Sequence, residues 1–190
     1  MAKKEKISLT SPVVIAAYAH LAQPDEGQQY SDGKFKVSLL LEKNGEHDDF
    51  IKQLEKSCET AAKAEWSDLP KNLRYPMKDG DDFDKDDFHG KWMVTCKTKF
   101  RPPYYDCDKP AKPLIEGQEP RSGDLIRAKF HLSAYDLGRT NKGVSCQLAA
   151  VQLVEKRNMQ SGNYHDWAEI DGYVSAEVDE FAEPDFALPV

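Results

Sequence analysis

The chain has 190 residues, 39% hydrophobic and 31% charged, with 33 acidic against 26 basic side chains and a formal net charge of -7. That length suits one domain with an appendage and excludes a long repeat array. Its longest apolar run, residues 13–19, is far short of the roughly 18 residues that span a bilayer, and no secretory apolar region follows the N-terminal lysines. Cys58, Cys96, Cys107 and Cys146 have no paired spacing, so a reduced, intracellular chain is expected rather than a disulfide scaffold.

Residues 7–20 are rich in Val, Ile and Ala with Pro12 inside, which predicts a bent or edge strand, and Gln23-Pro24-Asp25-Glu26-Gly27 then signals a turn. Next, Phe35, Val37, Leu39 and Leu41 alternate with Lys34, Lys36 and Ser38, the period of a half-buried strand. Between residues 48 and 66 the set Phe50, Ile51, Leu54, Cys58, Ala61 and Ala62 recurs at helical spacing, with Asp48 and Asp49 at the positive end of the dipole. One amphipathic helix is predicted there, closed by Leu69-Pro70. The acidic residues 79–87 have no period and read as a surface loop. From Lys91 alternation returns, with Trp92, Val94, Cys96, Thr98 and Phe100 against Lys97, Lys99 and Arg101. Five prolines in residues 101–123 exclude a regular element. Then Ile126, Ala128, Phe130 and Leu132 alternate with Arg127, Lys129 and His131, and a last strand covers residues 144–154.

These elements predict a mainly β fold, an OB-fold-like antiparallel barrel with one amphipathic helix and a disordered acidic C-terminal tail. Residues 1–156 form the barrel domain and 157–190 the extension and tail. In the usual OB arrangement the helix lies between the third and fourth strands, whereas here it falls between the second and third. Either residues 7–30 contribute two strands or the topology is a variant.

Charge distribution points to the partner. Of the 33 acids, six (Asp171, Glu177, Asp179, Glu180, Glu183 and Asp185) lie in residues 171–190, leaving 27 against 26 bases in the rest, and a near-neutral body can carry a basic groove. Lys34 and Lys36, then Lys97, Lys99 and Arg101, then Arg127, Lys129 and His131 stand opposite apolar faces, so closing the sheet leaves the bases outside together. Such a surface can track a phosphate backbone. Tyr104 and Tyr105 in the proline-rich segment, and Tyr135 before the loop with Arg139 and Lys142, are candidate stacking rings. The plainer alternative for each is a solvated strand face or a tyrosine packed on its own domain.

Enzyme signatures are weak. Gly138 and Gly143 have P-loop spacing, but Val144 stands where the phosphate-binding Lys belongs. The run Asp79-Gly80-Asp81-Asp82-Phe83-Asp84-Lys85-Asp86-Asp87 lacks the closing Glu of an EF-hand. A metal-dependent nuclease or nucleotide-processing enzyme using those carboxylates is the alternative reading; a protein-binding or DNA-mimicking module rests on acidity alone. His20, His47, His89, His131 and His165 show no pairing, and Cys107 alone is poor evidence for a nucleophile. No catalytic residue, metal or cofactor is expected.

Short pieces in order along residues 7–155 carry a family likeness: Ser11-Pro12-Val13, Tyr75-Pro76-Met77-Lys78-Asp79-Gly80-Asp81, Gly90-Lys91-Trp92, Ala134-Tyr135-Asp136 and Asn141-Lys142-Gly143-Val144-Ser145. On these the chain resembles bacteriophage single-stranded DNA-binding proteins of the DUF2815 type. The resemblance implies an OB fold, sequence-independent binding of single-stranded DNA, and a role in phage DNA replication, recombination or repair in the host cell cytoplasm. It also implies a tail that meets phage or host replication proteins, although related tails often end on an aromatic and this one ends Phe186-Ala187-Leu188-Pro189-Val190.

Overall fold

A computed structural model describes residues 6–26, 31–138 and 141–157. The bent strand expected over residues 7–20 is broken by Pro12 into β1 (Ser8–Thr10) and β2 (Val14–His20). Both pair antiparallel with β7 (Leu125–Asp136), through Thr10↔Lys129 and Val14↔Ile126. Between them Ser11 donates its N–H to the Ala128 carbonyl and its Oγ accepts from the Ala128 N–H, each at 2.9 Å, so a hydroxyl completes the ladder where the chain bends.

β3 (Phe35–Glu42) and β5 (Lys91–Thr98) pair over their whole length, from Phe35↔Thr98 to Glu42↔Lys91. β5 then pairs parallel with β8 (Lys142–Glu155) at Cys96↔Cys146, and β8 returns antiparallel along β7. With β2 joined to both β3 and β7, the circuit β2-β3-β5-β8-β7 closes on itself. This is an OB-type barrel. The helix α1 (Asp48–Glu65) lies between β3 and β5. Residues 7–20 do contribute two strands, which puts α1 after the third strand in chain order, but both strands form one barrel wall against β7, so counted by barrel wall the helix still follows the second.

The barrel interior holds Val37, Leu39, Leu41, Val94, Cys96, Ile126, Ala128 and Phe130, as the alternation predicted, together with Val144 and Val151 of β8, and α1 packs its Ile51, Leu54, Cys58 and Ala62 onto that core. β3 departs from a half-buried pattern. Its outer Ser38 and Leu40 are also buried, because Phe88, Met93 and Ala17 form a second small core over Leu40. Phe88 comes from the acidic segment, which is partly ordered as β4 (Met77–Asp79) on β5 and two 3-10 turns. The expected tail and Arg139 fall outside the described residues. Among those described, no helix is long and apolar enough to cross a membrane.

Candidate nucleic-acid interface

A cleft of about 940 Å³ runs across the barrel, with walls from β2, β3, β5, β7, β8 and the residues before β4. Strand alternation places its cations. Lys36 projects from β3 beside Ser38 with Lys34 just before the strand, and Lys97 and Lys99 project from β5 and its end beside Thr95. The register sets Lys36 directly opposite Lys97 and Ser38 opposite Thr95, whose hydroxyls meet at 2.9 Å. Like charges facing each other across neighbouring strands are unfavourable unless an anion lies close. Here Lys36 bonds the carboxylate of Asp25, and Lys97 that of Asp32 at 2.7 Å. Burial pushes the Asp32 carboxyl up, but the Lys97 hydrogen bond and the charges of Lys97, Lys34 and Lys36 overcome this and hold it below its ordinary value.

Rings edge the same cleft. Tyr135 stands opposite Gly143 on β8, where a Cβ would meet Tyr135 Oη at 2.5 Å, Cζ at 2.7 Å and the Arg74 carbonyl oxygen at 2.8 Å. The tyrosine ring therefore lies across the space a side chain would fill, and the glycine is what admits it. Tyr18 sits at φ 46, where the register of β2 shifts between Ala17 and His20. A bulky residue rarely adopts that conformation, and the bulge re-aims its ring into the cleft. Phe88 meets the ring edge-on, with centroids 5.5 Å apart, and Lys85 Nζ lies 4.6 Å from its centre. Phe100 and Leu137 complete the wall at 82% and 72% exposed, large apolar side chains that no packing explains.

Of the twelve candidates, Lys34, Lys36, Lys97, Lys99 and Tyr135 line this cleft. Tyr104 does not stand free in a loop. It is buried, its hydroxyl donates to the Leu21 carbonyl at 2.6 Å, and burial pushes its pKa up to about 12. The cause is β6 (Tyr104–Tyr105), a short strand that pairs with β8 at Val151 and Gln152 where a free loop was expected. Tyr105 is half-buried and bridges Pro113. Arg101 is bound to Glu119, with its guanidinium 5.8 Å from the Tyr104 ring centre. Arg127 and Lys129 are exposed but do not reach the cleft, which β7 enters only from Ser133 onward. Six residues of strand separate Arg127 from that point, about 20 Å. Lys142 belongs to a smaller neighbouring cavity.

The acidic segment is held by Lys43, which directly follows β3, and by its own backbone. Lys43 bonds both Asp79 and Asp81, the latter at 2.6 Å, and Asp81 also accepts from the Gly90 N–H at 2.8 Å. The Lys43 hydrogen bond, then that of Gly90, holds the Asp81 carboxyl far below the usual carboxylate range. Among the described residues no group of three or more His, Cys, Asp or Glu is placed to hold a metal ion, so the nuclease alternative gains no support.

Tyr18, Tyr75, Lys78 and Phe100 were missed as cleft residues. Tyr18 hides in an apolar run whose alternation breaks at a bulge, and Phe100 follows the apolar phase of β5 but stands beyond its last residue, Thr98.

A closed five-stranded barrel crossed by a lysine-lined, aromatic-edged cleft defines the OB class of binding proteins. Residues 6–181 match the family described as the ssDNA-binding protein of Enterobacter phage Enc34, and the chain belongs to that family of phage proteins. Among solved structures it is similar to the single-stranded DNA-binding protein of bacteriophage Enc34 in complex with ssDNA, at 21% identity and TM-score 0.68, covering 79% of this chain and 87% of that one. The same phage protein in another structure gives 18% identity and TM-score 0.65, covering 84% and 88%. The single-stranded DNA-binding protein gp2.5 of bacteriophage T7 gives 21% identity and TM-score 0.57, covering 90% and 100%. These likenesses share the fold. No curated protein matches the chain.

Proposed function

We propose that this chain is a non-enzymatic protein that binds single-stranded DNA without regard to sequence, serving phage DNA replication, recombination or repair in the host cell cytoplasm. The observation that carries this is the opposed pair Lys36 and Lys97, flanked by Lys34 and Lys99, on a cleft edged by Tyr18, Tyr135 and Phe100. Phosphates replace the carboxylates of Asp25 and Asp32 as counter-charges, and unstacked bases lie on the rings. Every base offers a π-face, so no sequence preference arises. Family membership and the fold shared with phage single-stranded DNA-binding proteins support the same reading.

A salt series with oligo-dT tests it. If the four lysines each neutralise a phosphate, log K falls against log salt with a slope of about -3, roughly 50-fold between 50 and 200 mM. Duplex of equal length binds far more weakly, and the oligonucleotide is recovered uncut after incubation with magnesium. Equal affinity for duplex, or cleavage, defeats the proposal.

The division into a binding domain, residues 1–156, and an extension, 157–190, is part of the proposal, with the acidic tail as the contact for phage or host replication proteins. A chain ending after residue 170 should bind oligo-dT in 200 mM salt within twofold of the full chain, yet lose its stimulation of a phage DNA polymerase on single-stranded template. Undiminished stimulation would remove the tail from that role.

A further inference from the structure

We infer that a second cavity, at the end of α1, is a further base-binding subsite for the same strand, an inference that rests on the main cleft being the single-stranded DNA site. The cavity has a volume of about 420 Å³ and is walled by Trp66, Leu69, Pro70 and Lys71 from the loop after α1 and by Lys142 from β8. Its chemistry suits a nucleotide: an indole, two apolar side chains and two ammonium groups, against one acid, Asp68.

The Trp66 ring is open to that space. Lys142 Nζ lies 5.3 Å from its centre, ion-paired to Asp136 at 3.0 Å, so an ammonium rests near that ring. A base displaces the ammonium from the ring and leaves it beside the adjoining phosphate. The backbone holds the indole in place. Trp66 ends α1 by donating its N–H to the Ala62 carbonyl at 2.9 Å, and Ser67 then turns the chain at φ 41, a conformation that non-glycine residues seldom adopt.

Continuity with the cleft comes from residues 142–144. Arg74 donates its N–H to the Lys142 carbonyl at 3.0 Å and accepts from the Val144 N–H at 2.9 Å, which stitches the loop to β8. On either side of this stitch, Tyr75 and Val144 line the main cleft while Lys142 lines the smaller cavity. Lys142 and Val144 are two residues apart, about 7 Å along the strand. A single strand passing Tyr135 and Tyr75 therefore meets Trp66 next.

Oligo-dT of increasing length, from about 4 to 16 nucleotides, tests the subsite in the full chain. Short oligomers that fill the main cleft should bind Trp66→Ala and Lys71→Glu as they bind wild type. Long ones should bind Trp66→Ala about 5- to 150-fold more weakly, the worth of one stacked base. Lys71→Glu should lose affinity for the long ones alone. Tryptophan fluorescence of wild type should be quenched further by long than by short oligomers, and that extra quenching should vanish in Trp66→Phe. Because Trp66 also packs against the core, Trp66→Phe and Lys71→Glu decide the matter if Trp66→Ala does not fold. Equal losses at every length, or no loss at any length, overturn the subsite while leaving the cleft standing. A wild-type chain that fails to bind short oligo-dT overturns the cleft, and the subsite with it.

Discussion

Replacing Tyr135 and Phe100 together by Ala should lower oligo-dT affinity by about 2–6 kcal/mol, at least about 30-fold, since each ring that stacks on a base contributes about 1–3 kcal/mol. Phe100 is 82% exposed, so its removal frees no core contact. Tyr135 covers Gly143 as a cross-strand neighbour, and such a pair contributes roughly 0.2–1 kcal/mol to the fold. Melting should consequently fall by no more than about 4 °C. Tyr104→Ala should do the reverse. Its ring is buried and its hydroxyl holds the Leu21 carbonyl, so the cost falls on stability, about 3–5 kcal/mol as for other large buried rings, while the folded fraction keeps wild-type affinity. Anisotropy titrations beside thermal melts separate the two. A Tyr104 variant that melts normally but releases DNA would invert the assignment of rings to cleft and core.

That contrast marks how far the sequence could be read. The cleft's cations were legible because period-2 alternation alone decides which face a strand residue takes: Lys34, Lys36, Lys97 and Lys99 all follow it. The break at Pro12 and the amphipathic helix followed from equally local rules. Reach along a strand did not. Arg127 and Lys129 have the right phase but stand too far from the end of β7 that enters the cleft, and phase carries no information about distance. Tyr104 and Tyr105 looked like loop residues because five prolines surround them, yet a two-residue pairing with β8 seals Tyr104 inside. Tyr18 needed a bulge that its apolar neighbours do not announce. The tyrosine misses are cases of tertiary pairing overriding a local pattern.

Gly80→Ala should be strongly destabilising. A Cβ there would lie 2.1 Å from the Phe88 carbonyl oxygen and 2.6 Å from that of Lys91. Both obstacles are backbone, so no side chain can swing aside, and the strain belongs at the upper end of overpacking, about 3 kcal/mol or more. A fall in melting temperature of roughly 6–12 °C follows. The consequence reaches the cleft, because Phe88 both covers Leu40 and props the Tyr18 ring. Oligo-dT affinity should therefore fall in the folded protein as well. Acid loosens the same latch. The Asp81 carboxyl is held below its ordinary value, so its contribution is complete above about pH 4 and is lost as pH falls below that, toward its depressed folded value. Asp84→Asn and Asp87→Asn, at exposed positions outside the Lys43 clasp, should change neither melting nor binding. A metal-dependent nuclease would need such carboxylates, whereas a scaffold that carries Phe88 under Tyr18 needs only Asp79, Asp81 and the bare Cα of Gly80. If Gly80→Ala melts like wild type, or if the Asp84 and Asp87 variants lose DNA binding, the acidic segment is not the prop beneath the cleft.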